Sequence, residues 1–309
     1  MKDIQKYKGV FPAFYACYDK NGEVDPAAVR KLAAHLIQKG VKGVYVGGSS
    51  GECIYQSVPE RKLVLENVME AAQGKLTVIA HVACNNTRDS QELARHAESL
   101  GVDAIASIPP IYFRLPDRAI AQYWNDISAA APHTDFIIYN IPQLAGVALT
   151  IPLLKEMLKN PNVIGVKNSS MPVQDIQMFK DEGTRGDRPF VVFNGPDEQF
   201  ISGLMIGADG GIGGTYGAMP ELFVKLYGLF RDGKWAEARQ LQYDVDNIIY
   251  ALCAGKCNLY AAIKEVLRRR EGLDIGSVRP PLAAYTAEDD AAIAHAVSLI
   301  DLAMKRWVG

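Results

Sequence analysis

Val163-Ile164-Gly165-Val166-Lys167-Asn168-Ser169-Ser170 begins as a short apolar run and ends on a lysine followed by an amide and two hydroxyls. A strand of Val, Ile and Gly offers no polar face to water, which is the pattern of a parallel strand covered by helices. A lysine at the end of such a strand either reaches solvent along its aliphatic stem or stays buried, where desolvation disfavours its charged form. At a pKa of about 10.4, only roughly one lysine in a few thousand is a free amine at pH 7. Lowering that pKa by about three units, or roughly 4 kcal/mol, leaves about half of the population neutral. A neutral lysine attacks a carbonyl to form a Schiff base, which then serves as an electron sink. Lys167 is thus a candidate nucleophile.

The same grammar repeats outward from this run. β-rich stretches at 9–14, 43–46, 76–81, 104–107, 136–139, 163–167, 190–193 and 210–212 alternate with helical patterns. The helical patterns fall at 25–38, 59–72, 87–99, 116–130, 151–159, 173–180, 197–205 and 219–230. Asp25 before Pro26 and the Val58-Pro59-Glu60 entry mark helix starts by cap, proline and acid. Successive strands begin roughly 20 to 35 residues apart, about one βα unit. Eight units in a row predict an α/β fold, a closed (β/α)8 TIM barrel over residues 1–230. Nothing in the pattern marks the strand-order reversal of an open sheet. Residues 231–309 read as helices at 235–254, 259–271 and 286–308, with Arg279-Pro280-Pro281 as the break before the last. They predict a helical C-terminal extension packed on the barrel, without catalysis of its own.

Composition narrows the class. Of 309 residues, 49% are hydrophobic and 22% charged, the balance of a globular protein with a sizeable core. A net charge of −2 gives no electrostatic reason to bind nucleic acid or an anionic membrane. No apolar run is long enough for a transmembrane helix, and Met1-Lys2-Asp3-Ile4-Gln5-Lys6 lacks the core of a signal peptide. Cys17, Cys53, Cys84, Cys253 and Cys257 are odd in number and form no CxxC pair, so a reducing cytoplasm is expected.

A barrel of this kind carries its site at the C-terminal strand ends. There the chain places Gly47-Gly48-Ser49-Ser50-Gly51-Glu52, Pro109-Pro110-Ile111-Tyr112, Tyr139-Asn140-Ile141-Pro142, Lys167, Asn194-Gly195-Pro196-Asp197-Glu198 and Gly213-Gly214-Thr215-Tyr216. Among the lysines, only Lys167 takes the last place of an expected strand. The glycine-rich loop is either a tight turn or a concave anion site, with Ser49 and Ser50 as added donors. It is no Walker A loop, since the Gly-Lys-Ser/Thr ending is missing. Tyr139 lies one βα unit before Lys167, so the strands should be neighbours and the phenol can move protons there. Gly207-Ala208-Asp209-Gly210-Gly211-Ile212-Gly213-Gly214 has no basic partner for a phosphate and reads as a place of close approach. No metal is expected. His81 and Cys84 share a strand end, but His35, His96 and His295 fall in helices, and the Cys253/Cys257 spacing more often packs than ligates.

These runs together resemble the pyruvate-dependent Schiff-base aldolase family that contains dihydrodipicolinate synthase and N-acetylneuraminate lyase. The resemblance spans about Gly9 to Leu267 and rests on the Gly47–Glu52 loop, Tyr139-Asn140-Ile141-Pro142, Gly165-Val166-Lys167 and the 207–213 glycine run. It implies that Lys167 forms the imine with pyruvate and that Tyr139 is the proton donor and acceptor. It further implies that Ser49 and Ser50 hold the pyruvate carboxylate and that Tyr112 reaches into a neighbouring subunit's site. It implies a homotetramer and no cofactor.

Within the family, the doubled glycine of Gly47-Gly48 resembles the members that cleave sialic acid. Synthases carry an arginine where this chain has Leu144, and an aliphatic side chain cannot grip a second carboxylate. Gly195, Asp197 and Glu198 match the pattern for a polyol tail, and Ser169 keeps a hydroxyl where the family has threonine. Gly214 and Gly217 depart from it, standing where serine and asparagine are usual; one lost hydroxyl contact costs about 1 kcal/mol. The expected activity is reversible cleavage of N-acetylneuraminate to N-acetylmannosamine and pyruvate. The alternatives are the same chemistry on another 2-keto-3-deoxy sugar acid, dihydrodipicolinate synthesis, or non-catalytic binding of a sugar acid.

Overall fold

A computed structural model describes residues 2–309. Eight parallel strands alternate with helices: β1 (Gly9–Pro12), α1 (Pro26–Gln38), β2 (Gly43–Val46), α2 (Val58–Ala72), β3 (Thr77–His81), α3 (Thr87–Ser99), β4 (Ala104–Ser107) and α4 (Asp117–Ala130). The second half holds β5 (Asp135–Asn140), α5 (Pro142–Ala145), α6 (Ile151–Met157), β6 (Val163–Asn168), α7 (Gln174–Gly183), β7 (Val191–Asn194), α8 (Phe200–Met205), β8 (Gly210–Gly213) and α9 (Pro220–Arg231). After it come α10 (Trp235–Leu252), α11 (Leu259–Glu271) and α12 (Asp290–Trp307).

Strand order follows the chain around the sheet, with β8 beside β1. The circle closes between β1 and β2 through one parallel bridge, Ala13 to Tyr45, with Phe14 N donating to Tyr45 O at 2.9 Å and Lys42 N to Val10 O at 3.0 Å. This is the (β/α)8 TIM barrel that the repeat predicts. Alternation along each strand builds two cores. Phe11, Tyr45, Ile79, Tyr139 and Phe193 fill the barrel, where Phe11 and Phe193 meet edge to face at 5.5 Å. Val44, Val78, Ile105, Ile138 and Val192 face outward into the helices.

The sequence signals that start helices act as expected. Asp25 Oδ1 accepts from Ala27 N at 2.9 Å and Ala28 N at 3.1 Å, and Ser57 forms a capping box with Glu60. Several boundaries differ from expectation: β1 stops at Pro12, α6 at Met157 and α10 at Leu252, α7 runs on to Gly183, and the short α5 is additional. Three further differences bear on the site or the extension. β6 runs to Asn168, because its ladder continues through Asn140 on β5 and Asn194 on β7, so Lys167 is the penultimate residue of its strand. The stretch 197–205 splits into a 3-10 turn, Asp197–Gln199, and α8. There Gln242 replaces the helical bond: its Oε1 accepts from Ile201 N at 3.0 Å and its Nε2 donates to Asp197 O at 3.0 Å. The last helix begins at Asp290, behind a 3-10 turn that Thr286 and Asp289 cap. No helix among the described residues is long and apolar enough to cross a membrane.

Candidate active site

β5 and β6 pair so that Tyr139 lies opposite Lys167, both pointing into the barrel mouth. Lys167 is buried, and its Nζ lies 4.0 Å from the centre of the Tyr139 ring and 4.4 Å from that of Tyr45. Burial lowers its pKa from the usual lysine value to about 7, against the opposing pull of the Asp197 carboxylate. Burial raises the Tyr139 phenol to about 12, while the hydroxyls of Ser169 and Ser49 beside it draw it back down. The amine is thus nucleophilic near neutrality and the phenol beside it carries a proton to give.

The glycine-rich loop after β2 leaves the sheet at Gly47, whose φ of +74° favours a residue without Cβ. His81 Nδ1 meets Gly47 O at 2.8 Å, so this nitrogen carries the proton, and Nε2 accepts from Ile108 N at 3.5 Å. Burial, then the Arg61 charge, holds the imidazole neutral with a pKa of about 3. At the far end of the loop Glu52 is buried and adopts a left-handed conformation, φ +53°. Its carboxylate accepts from Lys264 Nζ at 2.9 Å and from Arg279 N at 2.9 Å, which ties the loop to the C-terminal extension. Between these anchors Ser50 is buried and Ser49 exposed to the mouth.

The opposite wall comes from β7 and β8. Asp197 accepts from Thr215 N and Oγ1, both at 2.6 Å, and from Gly214 N at 3.2 Å. Its carboxylate therefore shapes the loop after β8, and burial raises its pKa to about 6 despite those bonds. Gly195 has no room for a side chain: a Cβ there would lie 2.0 Å from Ser169 Oγ. That close approach lets Ser169 stand beside Tyr139.

The structure gathers Lys167, Tyr139, Ser49, Ser50, Ser169, Gly195, Asp197 and Gly214 around one mouth. Glu198 is exposed and faces a groove of about 750 Å³ with Trp235 and Asp246. Tyr112 stands outside, 90% exposed, against the edge of Phe113. Among the described residues no group of three or more His, Cys, Asp and Glu is arranged to hold a metal. An amine, a phenol, hydroxyls and one buried carboxylate suit imine chemistry on a keto acid.

The profile of the dihydrodipicolinate synthetase family matches residues 6–300. The chain belongs to this family. It is similar to an N-acetylneuraminate lyase of Mediterraneibacter gnavus, 65% identical over 308 residues, which covers 100% of this chain and 97% of the relative. An N-acetylneuraminate lyase of Salmonella agona is 36% identical over 277 residues, 89% of this chain and 91% of the relative. Among solved structures, a catalytic lysine mutant of Ruminococcus gnavus sialic acid aldolase superposes with a TM-score of 0.97 at 65% identity, covering 99% of this chain and 100% of that one.

Four residues in or behind this mouth carried no assigned role in the sequence reading. Tyr45 reads there as a core aromatic inside a strand, and Thr215 as part of a glycine turn. Lys264 and Tyr260 lie in the extension, more than 200 residues after the loop they touch, as the Lys264–Glu52 separation of 212 shows. No local spacing announces such a contact.

Proposed function

We propose that the chain is a class I aldolase that reversibly cleaves N-acetylneuraminate to N-acetylmannosamine and pyruvate. One observation carries this reading: a buried lysine with a pKa of about 7, set between the ring faces of Tyr45 and Tyr139. The relatives named above support the choice of sugar acid.

Lys167 Nζ attacks the C2 ketone of the open-chain substrate to form a carbinolamine. Tyr139 gives its proton to the departing hydroxyl, so that water leaves and an iminium faces a phenolate. The phenolate takes the proton of the C4 hydroxyl, the C3–C4 bond breaks, and its electron pair flows into the iminium to leave an enamine and the aldehyde. Tyr139 then protonates C3, and the phenolate accepts a proton from the water that hydrolyses the second iminium. Ser49 and Ser50 hold the carboxylate, and the tyrosine faces stabilise each cationic intermediate.

Borohydride reduction in the presence of N-acetylneuraminate, followed by peptide mass mapping, tests this. A pyruvate-derived adduct is expected on the Lys167 peptide and not in Lys167→Arg. A wild-type protein that neither takes the adduct nor releases pyruvate overturns the reading. The same reading carries assembly: a homotetramer in which Tyr112 completes the site of a neighbouring copy, consistent with its nearly full exposure here.

A further inference from the structure

Tyr260 opens α11, the second helix of the extension, where Asn258 Oδ1 accepts from its backbone N at 3.0 Å. From there its side chain reaches the barrel mouth. It is half-buried there, beside Ser50 and near the Tyr139 phenol and the Asp197 carboxylate.

What lets it enter is a set of missing side chains. A Cβ on Gly217 would lie 2.7 Å from the ring of Tyr15, so glycine there makes room for that ring. Tyr15 packs against Tyr260 with ring centres 6.4 Å apart and donates its hydroxyl to Gly214 O at 2.8 Å. A Cβ on Gly214 would lie 3.7 Å from the Tyr260 hydroxyl and 3.5 Å from Ser50 Oγ. The phenol thus points at the space a side chain of residue 214 would take, on the β8 side of the mouth. Ser50 stands on the other side of that space, where the keto-acid carboxylate is read to bind.

We propose that Tyr260 is a specificity-determining residue, its hydroxyl bonding the hydroxylated tail of the sugar acid in the space that Gly214 leaves open. This rests on the sugar-acid aldolase reading. A barrel loop without a side chain and a helix from outside the barrel together supply one hydroxyl. The chemistry it selects is a neutral polyol, because a phenol both donates and accepts where a cation would only attract anions.

Tyr260→Phe, Gly214→Ser and the double variant test the inference through kcat and KM for N-acetylneuraminate and through borohydride trapping with pyruvate alone. A Cβ at 214 meets only ordinary contacts, so Gly214→Ser is expected to fold. Tyr260→Phe should raise KM about fivefold, the value of one neutral hydrogen bond, with kcat little changed and pyruvate trapping unaffected. Adding Gly214→Ser should recover most of that KM by returning a hydroxyl to the same space. An unchanged KM overturns the inference, as does a parallel loss of pyruvate trapping, which would put Tyr260 on the carboxylate. Absence of recovery in a double variant that melts like the wild type also overturns it. Failure of the aldolase reading shows separately, as no cleavage by the unmodified protein, and takes this inference with it.

Discussion

Lys167 owes its low pKa to its buried place near the end of β6 and not to a neighbouring cation: burial lowers it, and the one charge that acts on it, Asp197, raises it. Pyruvate imine formation should therefore rise with pH through about 7 and level off above, because the neutral amine is the nucleophile. Asp197→Asn should move that midpoint downward, since it removes the charge that favours the ammonium; a midpoint that stays or rises contradicts the assignment. The same shift costs stability. The unfolded chain holds the lysine proton up to about 10.4, and the folded chain releases it near 7, so over that window the unfolded state binds more protons and stability rises with pH. At about 1.4 kcal/mol per unit, the penalty at neutral pH is several kcal/mol. Lys167→Met should accordingly melt higher than the wild type at pH 7, with the gap narrowing toward pH 10. Part of this was legible in the sequence: an apolar strand read as ending in lysine made a desolvated amine one of two readings, and the residues at the other strand ends favoured it. Tyr45 was not, since a tyrosine within Gly43–Val46 looks the same whether its ring faces an amine or a methyl group.

The elements that periodicity encodes are those whose two faces are both buried, and here that means the strands. Most read as short apolar runs with a glycine or proline close to one end, and their order around the sheet follows from the βα repeat. Where strands and helices stop is set by partners elsewhere: Asn168 continues β6 because Asn140 and Asn194 pair with it, and Gln242 unwinds the turn before α8. The glycine-rich loop shows the same division. Its composition was legible, but its anchor, the Glu52–Lys264 ion pair, joins residues 212 apart and almost fully buried. Lys264 also donates to Ser277 O at 2.6 Å, so its removal strands both a carboxylate and a carbonyl. Lys264→Met should cost about 3–5 kcal/mol, because it leaves a buried charge without its partner. Glu52→Gln combined with Lys264→Met should recover part of that loss. Urea unfolding of the three variants checks it, and a double variant no more stable than Lys264→Met would show that the carbonyl contacts, not the charge, carry the effect.

At the scale of the molecule, the barrel and the extension build one mouth, and one residue of the expected set stands outside it. Tyr112 is 90% exposed and adopts φ +86°, a left-handed conformation that a bulky side chain enters only at a cost. Its neighbour Phe113 is 72% exposed and meets it edge to face at 5.1 Å. Two aromatic rings held together in water, on a backbone strained to present them, have reason to bury themselves in a partner. If, as proposed, Tyr112 of one copy reaches the site of another across a two-fold axis, the reverse contact forms too, since such interfaces are reciprocal. Tyr112→Ala should then lose most cleavage, and Lys167→Arg all of it, when each variant is assayed alone. Mixed after dissociation and reassembly, they should regain activity, because a Tyr112→Ala chain keeps its amine and borrows the tyrosine of a Lys167→Arg partner. Random pairing in equal amounts restores roughly a quarter of the sites. Assembly of mixed particles without recovered activity would place the Tyr112 contribution within its own chain, and a protein that stays monomeric by light scattering would exclude the shared site altogether.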